Sequence, residues 1–164
     1  MRLLDTPVGH LLLFASERGL CRIAILGKDS TLEPTPAAGK AAGHAIDKAT
    51  WQLEEYFSGS RQVFDLLLDL SGLGAFDRAV LLTTRSVPYG STVTYGRLAR
   101  QAGFPRSARA VGGAMQRNPL PIIIPCHRVV RSDGGTGGYS GGGPQVKQLL
   151  LALEGLQRPR LQGS

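Results

Sequence analysis

The sequence contains little cysteine, histidine or tryptophan. Among its 164 residues there are two cysteines, three histidines and one tryptophan. Cys21 and Cys126 lie far apart and form no CxxC pair, and the histidines are scattered. This pattern predicts neither a disulfide framework nor a zinc site. We therefore expect reduced thiols, no metal and no other cofactor.

Long apolar runs are also absent. No stretch approaches the roughly 18 apolar residues that a membrane-spanning helix requires. The N-terminus, MRLLDTPVGH, lacks the pattern of a secretory signal peptide. The sequence thus predicts no membrane association and, by default, a cytoplasmic location.

Acidic residues are scarce in one half of the chain only. Residues 1–70 contain 7 lysines and arginines against 9 aspartates and glutamates, whereas residues 71–164 contain 12 against 3. The net charge of +7 therefore belongs to the second half. Such an asymmetry indicates a polyanionic partner, because cations that neutralise nucleic-acid phosphates release counterions. Charge alone leaves open the alternative that the basic surface serves only solubility.

The first 70 residues predict a small α/β domain. Short apolar runs separated by the turn signals TPVG and SERG predict two or three antiparallel strands, with Cys21 as a packing residue in the last. GKDSTLEPTPAAGK predicts a loop, and HAIDKATWQLEEYFSG predicts a helix that buries its aromatic residues, Trp51 included. VFDLLLDL predicts a strand or an extended linker. We place the domain boundary near Ser71, where the charge balance changes sign.

The second half opens with three predicted helices. AFDRAVLLTTRSVPYG predicts the first, and TYGRLARQAGFPRSARAVGGAMQRN predicts two short helices separated by GFP. Thr94 can cap the first helix of this pair, and in the second helix Ala108, Val111 and Met115 recur at inward positions. The arrangement is a helix-turn-helix pattern, which is a weak signal by itself because any hairpin of two helices produces it. The basic charge of this half strengthens it.

The stretch PIIIPCHRVV places a cysteine beside a histidine and an arginine. Three isoleucines between prolines predict a short buried strand that ends at Pro125. Cys126 would follow this strand directly. The alternative to a reactive cysteine is a buried thiol with a purely structural role. Because His127 and Arg128 carry or can carry positive charge, they favour the thiolate, which is the nucleophilic form of cysteine.

A glycine-rich segment and a helix follow. SDGGTGGYSGGGP contains no Walker motif and predicts a loop whose backbone approaches a ligand closely. PQVKQLLLALEG predicts a helix whose inward residues are Val146, Leu149, Leu150 and Leu153. Glu154 in the last turn opposes the helix dipole, which indicates that its carboxylate has a partner. The remaining residues, from about 156, predict a disordered tail.

Cysteine, histidine and a carboxylate together indicate a nucleophile, a base and an orienting acid. A cysteine hydrolase would fit Cys126, His127 and Glu154. Its cysteine usually lies at a helix N-terminus, however, and the helix-turn-helix would be left without a role. A helix-turn-helix module that binds DNA without catalysis is the other alternative. The residues alone leave both possibilities open.

Four motifs of the second half occur together in one order. PCHRVV, preceded by ARAVGGAMQRNP and followed by GGYSGG and LLALEG, resembles the methylated-DNA–protein-cysteine methyltransferase family, the O6-alkylguanine-DNA alkyltransferases. The first half resembles it more loosely, through YFSG and FDLLLDL. The resemblance implies a ribonuclease-H-like α/β domain over residues 1–70. It implies a mostly helical DNA-binding and alkyl-transfer domain over residues 71–164.

The resemblance also implies an activity and a partner. The protein would transfer the alkyl group of O6-alkylguanine in double-stranded DNA irreversibly to Cys126 after base flipping, with O4-alkylthymine left open as a second lesion. It would act as a monomer, with assembly on DNA left open. Members of the family that bind DNA without repairing it have tryptophan in place of the cysteine, so Cys126 argues against that variant.

The resemblance further assigns roles to individual residues. His127 and Glu154 would relay the thiol proton through a water, Asn118 would join the recognition helix to the active-site turn, and Arg109 would fill the gap that the flipped base leaves. The implied substrate contacts are Tyr95, Met115, Val129, Tyr139, Ser140 and Gly141, with Tyr95 counted among the catalytic residues as well. The implied DNA contacts are Thr94, Ser107, Ala108, Arg109 and Gly112. One departure is Leu81, which stands where the family usually has tryptophan.

Overall fold

The computed structural model describes residues 1–27 and 39–156. Most of the predicted loop after Gly27, and the predicted disordered tail beyond residue 156, lie outside the described residues. Contacts divide the chain into two units. One unit comprises residues 1–74 with 119–123, and the other comprises residues 75–118 with the described residues from 124 onward.

The first unit is a three-stranded antiparallel sheet with one long helix. Strands β1 (Arg2–Thr6), β2 (Gly9–Ser16) and β3 (Gly19–Leu26) pair in sequence order, and α1 (Lys40–Phe57) packs on them. The predicted sheet and helix are both confirmed. VFDLLLDL joins the sheet through a single parallel bridge between Leu20 and Leu68. It is therefore an extended segment and contains no regular strand of its own.

Trp51 does not belong to the core that the sequence predicts. Its side chain is 54% exposed, and the guanidinium of Arg61 lies 5.3 Å from the centre of its ring. The buried face of α1 includes Ile46, Ala49 and Leu53. Trp51 lies two residues from Ala49, and two residues at about 100° each turn a side chain to the opposite side of a helix. Aromatic character alone was a poor guide to burial here.

The second unit is mostly helical, as predicted. Its helices are α2 (Ala75–Arg85), α3 (Tyr95–Gln101), α4 (Ala108–Gln116) and α5 (Gly143–Leu153), with a one-turn 3-10 helix over Cys126–Arg128. Two short strands, β4 (Val93–Thr94) and β5 (Val129–Val130), pair in parallel. This pairing places the start of α3 beside the segment that follows Cys126. Leu81 of α2 is fully buried.

The helices α3 and α4 form the predicted helix-turn-helix. The Thr94 hydroxyl accepts a hydrogen bond from the Arg97 amide at 3.3 Å, which caps α3 as the sequence predicts. Val111 and Met115 are buried in α4, but Ala108 is exposed. Ala108 is the first residue of α4, and the buried face of the helix continues instead through Ala114.

The predicted strand before Cys126 is wrong. Ile122, Ile123 and Ile124 are buried, but the segment forms a turn between two bridge residues. Ile122 has a φ of 76°, in the left-handed region that β-branched residues rarely adopt. A run of isoleucines indicates a buried segment. It forms a strand only where a neighbouring strand is available to pair with it.

The inward face of α5 also differs from the prediction. Leu149 is 51% exposed, whereas Lys147 and Leu150 are fully buried. Leu151 is almost fully buried. The prediction assigned only apolar residues to the interior, and this shifted the predicted face around the helix.

In the part of the chain that the structure describes, no helix is long and apolar enough to cross a membrane.

Candidate active site

Cys126 lies at the centre of a polar cluster in the second unit. It is the first residue of the 3-10 helix and is 4% exposed. The side-chain amide of Asn118, just beyond α4, donates to the Cys126 sulfur at 3.1 Å and to the Ile124 carbonyl at 2.9 Å. These two bonds fix the sulfur relative to the end of the second helix of the helix-turn-helix.

The Cys126 thiol is protonated at neutral pH. Burial raises its pKa above the ordinary value, and this outweighs the lowering effects of the Asn118 hydrogen bond and the Lys147 charge. The expectation that the neighbours favour the thiolate is therefore wrong for the resting protein. His127 is neutral, and the charge of Arg128 is taken up by a carboxylate, as described next. An attack by Cys126 consequently requires a base.

The Glu154 carboxylate accepts hydrogen bonds from Arg128, Gly90 and His127. Arg128 donates through Nε and Nη2 at 2.9 Å each, the Gly90 amide donates at 3.2 Å, and His127 Nε2 lies 2.7 Å from Oε1. All of Glu154, His127 and Arg128 are buried. Arg128 also donates to the Val87 carbonyl at 2.6 Å. The partner that the dipole argument predicted for Glu154 is thus this arginine–histidine pair.

The charges of this cluster define which histidine nitrogen can accept a proton. Burial is the largest single influence and raises the pKa of Glu154, but the hydrogen bonds from His127 and Arg128, together with the charge of Arg128, outweigh it and lower the pKa to about 2. Burial lowers the pKa of His127, so the ring is neutral near pH 7. An ionised carboxylate only accepts hydrogen bonds. The proton of the neutral ring therefore resides on Nε2, and Nδ1 carries the free lone pair.

His127 Nδ1 is the atom through which this ring can act as a base. It is buried and has no hydrogen-bond partner among the described residues. A neutral imidazole oriented by a carboxylate at one nitrogen and open at the other is the arrangement found in nucleophile–base pairs.

Lys147 is a buried cation beside Cys126, and the sequence analysis did not predict it. Its ammonium donates to the Val129 carbonyl at 2.7 Å and to the Thr136 carbonyl. Burial lowers its pKa to about 8, and the nearby Cys126 partly opposes this shift. Lys147 thus remains charged at neutral pH and stabilises negative charge on the sulfur.

A spacing in the sequence could have revealed Lys147. Along α5 and its C-cap residue Glu154, the buried residues Lys147, Leu150, Leu151 and Glu154 recur at i, i+3, i+4 and i+7, which is the spacing of one helix face. Arg128 was also missed as the partner of Glu154. A carboxylate inferred to be buried requires a cation or several donors nearby, and Arg128 is adjacent to His127.

A cavity opens on the sulfur. It is lined by Tyr95, Gly112, Met115, Gln116, Cys126, Gly138, Tyr139 and Ser140. Burial and the neighbouring Cys126 sulfur raise the pKa values of Tyr95 and Tyr139, so both phenols remain protonated donors. Four of the six predicted substrate residues, Tyr95, Met115, Tyr139 and Ser140, therefore line one cavity with Cys126.

The two other predicted substrate residues lie just outside this lining. The Val129 carbonyl accepts from Lys147. The Gly141 backbone lies close to the Tyr139 ring, because a Cβ at Gly141 would lie 2.8 Å from a carbon of that ring. A larger residue at position 141 would displace Tyr139 from the cavity.

The predicted DNA contacts follow α3 and α4. Ala108 and Arg109 are exposed, and Thr94, Ser107 and Gly112 are half-buried. Gly112 belongs to the cavity lining as well, where it faces the Tyr95 ring. Gly112 is thus the predicted DNA contact that also belongs to the cavity. Within residues 1–27 and 39–156, no group of three or more histidine, cysteine, aspartate or glutamate side chains could hold a metal ion.

Two family models match the chain over nearly its whole length. The model described as "6-O-methylguanine DNA methyltransferase, ribonuclease-like domain" matches residues 1–70. The model described as "6-O-methylguanine DNA methyltransferase, DNA binding domain" matches residues 75–156.

Known proteins resemble the chain in sequence and in structure. The methylated-DNA–protein-cysteine methyltransferase of Mus musculus is 45% identical over 93% of this chain and 80% of its own length. That of Mycolicibacterium paratuberculosis is 41% identical over 96% of this chain and 93% of its own length. The crystal structure of Mycobacterium tuberculosis OGT in complex with DNA is 40% identical, has a TM-score of 0.80, and covers 93% of this chain and 91% of the crystallised chain.

Proposed function

Because the chain belongs to the 6-O-methylguanine DNA methyltransferase family, we propose that it repairs O6-alkylguanine in double-stranded DNA by transferring the alkyl group to Cys126. The observation that carries this assignment to a particular residue is the Cys126–His127–Glu154 cluster, which opens on a cavity beside the helix-turn-helix. Family membership excludes the cysteine hydrolase that the three residues alone would also have fitted.

Sulfur is suited to this reaction. The target is a saturated carbon, and the soft, polarisable thiolate attacks it as the C–O6 bond breaks and the guanine leaves with the bonding electron pair. The product is a thioether similar to that of methionine. No group in the site hydrolyses such a bond, so each protein molecule acts once. The protein is a stoichiometric reagent.

The proton of the thiol leaves through His127 in this proposal. A water relays it from the Cys126 sulfur to His127 Nδ1, while Glu154 holds the opposite nitrogen at 2.7 Å and stabilises the imidazolium that forms. Support for the relay comes from the raised pKa of the thiol, which makes a base necessary. It also comes from the lone pair on Nδ1, the nitrogen without a protein partner among the described residues.

The cavity beside Cys126 is the proposed guanine site. Tyr95 and Tyr139 have raised pKa values and can donate hydrogen bonds to the base as negative charge develops on it. Ser140, Gly141 and the Val129 carbonyl would hold its edge. Met115 supplies an apolar contact from α4.

A guanine stacked in duplex DNA cannot reach a sulfur that is only 4% exposed. The base must therefore be flipped out, which costs roughly a few kcal/mol. We assign Arg109 to the gap that the base leaves. It is exposed near the start of α4 and lies next to the proposed contacts Ser107 and Ala108. Phosphate contacts from the basic half supply the sequence-independent affinity.

The function is tested by intact-protein mass spectrometry after incubation with a duplex that contains one O6-methylguanine. We expect the mass to rise by one methyl group per molecule, on the peptide that contains Cys126, and the DNA to regain guanine. Incubation with an undamaged duplex of the same sequence is the control. A protein that binds the damaged duplex without any gain in mass would leave only the non-catalytic alternative.

Arg109→Ala should react about tenfold more slowly with the damaged duplex at saturating concentration, because the flipped state loses the side chain that replaces the base. Reaction with free O6-benzylguanine, which requires no flipping, should be unaffected. Single-turnover rates for both substrates measure this difference.

Two variants separate insertion from simple phosphate contact. Arg106→Ala removes an exposed arginine just before α4 and should change affinity alone. Arg109→Lys preserves charge without the planar guanidinium that can stack or donate as a fork. If Arg109→Ala and Arg109→Lys both react at the wild-type rate on saturating duplex, the insertion role is wrong.

A cytoplasmic location and a monomeric state stay predictions.

A further inference from the structure

An ion pair at the end of α4 lies immediately beside the residue that holds the nucleophile. Arg117 follows α4 and donates to the two carboxylate oxygens of Asp77 through Nε at 2.7 Å and Nη2 at 2.8 Å. Asp77 belongs to the first turn of α2. The next residue after Arg117 is Asn118, whose amide donates to the Cys126 sulfur.

The geometry of this pair indicates more than a solvated surface contact. The Arg117 side chain is 59% exposed, but the Asp77 side chain is only 14% exposed, and the bond is bidentate, which is the more specific form of an arginine–carboxylate pair. Each charge also suits its helix, since a carboxylate is favoured at an N-terminus and a cation at a C-terminus. Exposed ion pairs that lack these features contribute little.

The helix leaves space for this arginine. A Cβ at Gly113 would lie 3.1 Å from Arg117 Nη1, so the guanidinium runs across the backbone of the preceding turn. The absence of a side chain at Gly113 thus accommodates Arg117 of the same chain.

The end of α4 is therefore fixed on two sides. The Arg117 amide donates to the carbonyls of Gly113 and Ala114, and the Asn118 amide donates to that of Met115. Beyond these helix-end bonds, the Arg117 side chain anchors the turn to α2, while the Asn118 side chain reaches Ile124 and Cys126. A movement of the Arg117 backbone would displace Asn118 directly.

We propose that the Asp77–Arg117 ion pair is a positioning device that holds Asn118 in place to donate to the Cys126 sulfur, and so sets the reactivity of the nucleophile. The proposal rests on alkyl transfer to Cys126 as the function. Arg117 acts through Asn118 and has no contact of its own with the sulfur.

The Asn118 hydrogen bond also affects how the reaction rate depends on pH. Its hydrogen bond lowers the pKa of Cys126, so a weakened bond raises that pKa and reduces the thiolate fraction near neutral pH. The other groups around the sulfur are Lys147 from α5, Tyr139 from the glycine-rich loop, Tyr95 from α3 and the adjacent His127. The variants used here leave these groups unchanged.

The test is the single-turnover rate of alkyl transfer from a saturating O6-methylguanine duplex as a function of pH. We expect Arg117→Met and Asp77→Asn to react about two- to tenfold more slowly at pH 7, the effect of one weakened hydrogen bond. Their rate profiles should shift to higher pH, so that the deficit shrinks as pH rises. The concentration dependence of the rate separates this effect from weaker DNA binding.

Two comparisons distinguish positioning from a general loss of stability. Arg61→Met breaks another partly buried arginine–carboxylate pair, with Glu55 in the first unit, and should lower the melting temperature without changing the rate of folded protein. In an Asn118→Ala background, Arg117→Met should have no further effect on the rate, because residues that act through one contact are not additive.

The outcomes are distinguishable from failure of the function itself. Absence of transfer by the wild-type protein would overturn the proposed function. Normal transfer by the wild type, with unchanged rate and pH profile in Arg117→Met and Asp77→Asn, would overturn the positioning role. Additive effects of Arg117→Met and Asn118→Ala would do so as well.

Discussion

Replacement of Cys126 by alanine is expected to abolish alkyl transfer completely. The described residues contain one other cysteine, Cys21 in β3, which is half-buried and belongs to the first unit. Met115 also lines the cavity, but its uncharged thioether is a far weaker nucleophile than a cysteine thiolate. The measurement is the gain of mass by Cys126→Ala after long incubation with an O6-methylguanine duplex.

DNA binding should persist in this variant, because the proposed phosphate contacts lie on α3 and α4. Loss of the sulfur leaves one amide hydrogen of Asn118 without its acceptor, at a cost of about 1 kcal/mol in stability. Cys21→Ala is the matched control and should react at the wild-type rate. Transfer by Cys126→Ala, or alkylation of Cys21, would contradict the assignment of the nucleophile.

The second large effect is expected for Glu154→Gln, which should slow transfer about 10²-fold at neutral pH. The amide carries no charge to stabilise the imidazolium of His127, and general-base catalysis typically contributes about 10²- to 10⁴-fold. The rate profile should move toward that of an unassisted buried thiol, so the loss should be smaller at high pH. Single-turnover rates measured from pH 6 to about 10 test this shift of the rate profile. The upper limit is near the ordinary pKa values of lysine and tyrosine. An unchanged profile would exclude the relay.

Glu154→Gln should also destabilise the protein by about 3 to 5 kcal/mol, since it leaves the buried Arg128 without its counterion. The pKa of Glu154 falls from its ordinary value of 4.5 to about 2 on folding. A lowered carboxyl pKa contributes stability that is present above pH 4.5 and is lost as pH falls toward 2. Denaturant unfolding should therefore show a gap between wild type and Glu154→Gln that narrows between pH 5 and pH 2.

The features that the sequence predicted well depend on local patterns. Turn signals separate β1, β2 and β3, a threonine caps α3, and apolar spacing marks α1 and α4. The motif around Cys126 was assigned by resemblance, and the matching family models confirm that resemblance. These signals are local because caps, turns and helix faces involve residues only a few positions apart.

The features that the sequence analysis missed depend on contacts between distant segments. Arg128 and Glu154 are 26 residues apart, and Gly90 and Glu154 are 64 apart. Local patterning treats a lysine in α5 as exposed, yet Lys147 finds two backbone carbonyls inside the protein. The turn at Ile122 was missed for the same reason, since only tertiary packing stabilises a positive φ at an isoleucine.

The burial of Cys126 bears on how long an unused molecule keeps its capacity for repair. Oxidants and small electrophiles react with exposed thiolates, and oxidation beyond the sulfenic acid is essentially irreversible. A sulfur that is 4% exposed and has a raised pKa is poorly reactive toward both. Burial also raises the pKa of Cys21. For a reagent with a single use, an idle thiol that resists oxidation preserves the stock, and the slow deprotonation for which we propose His127 as the base is the cost of that resistance.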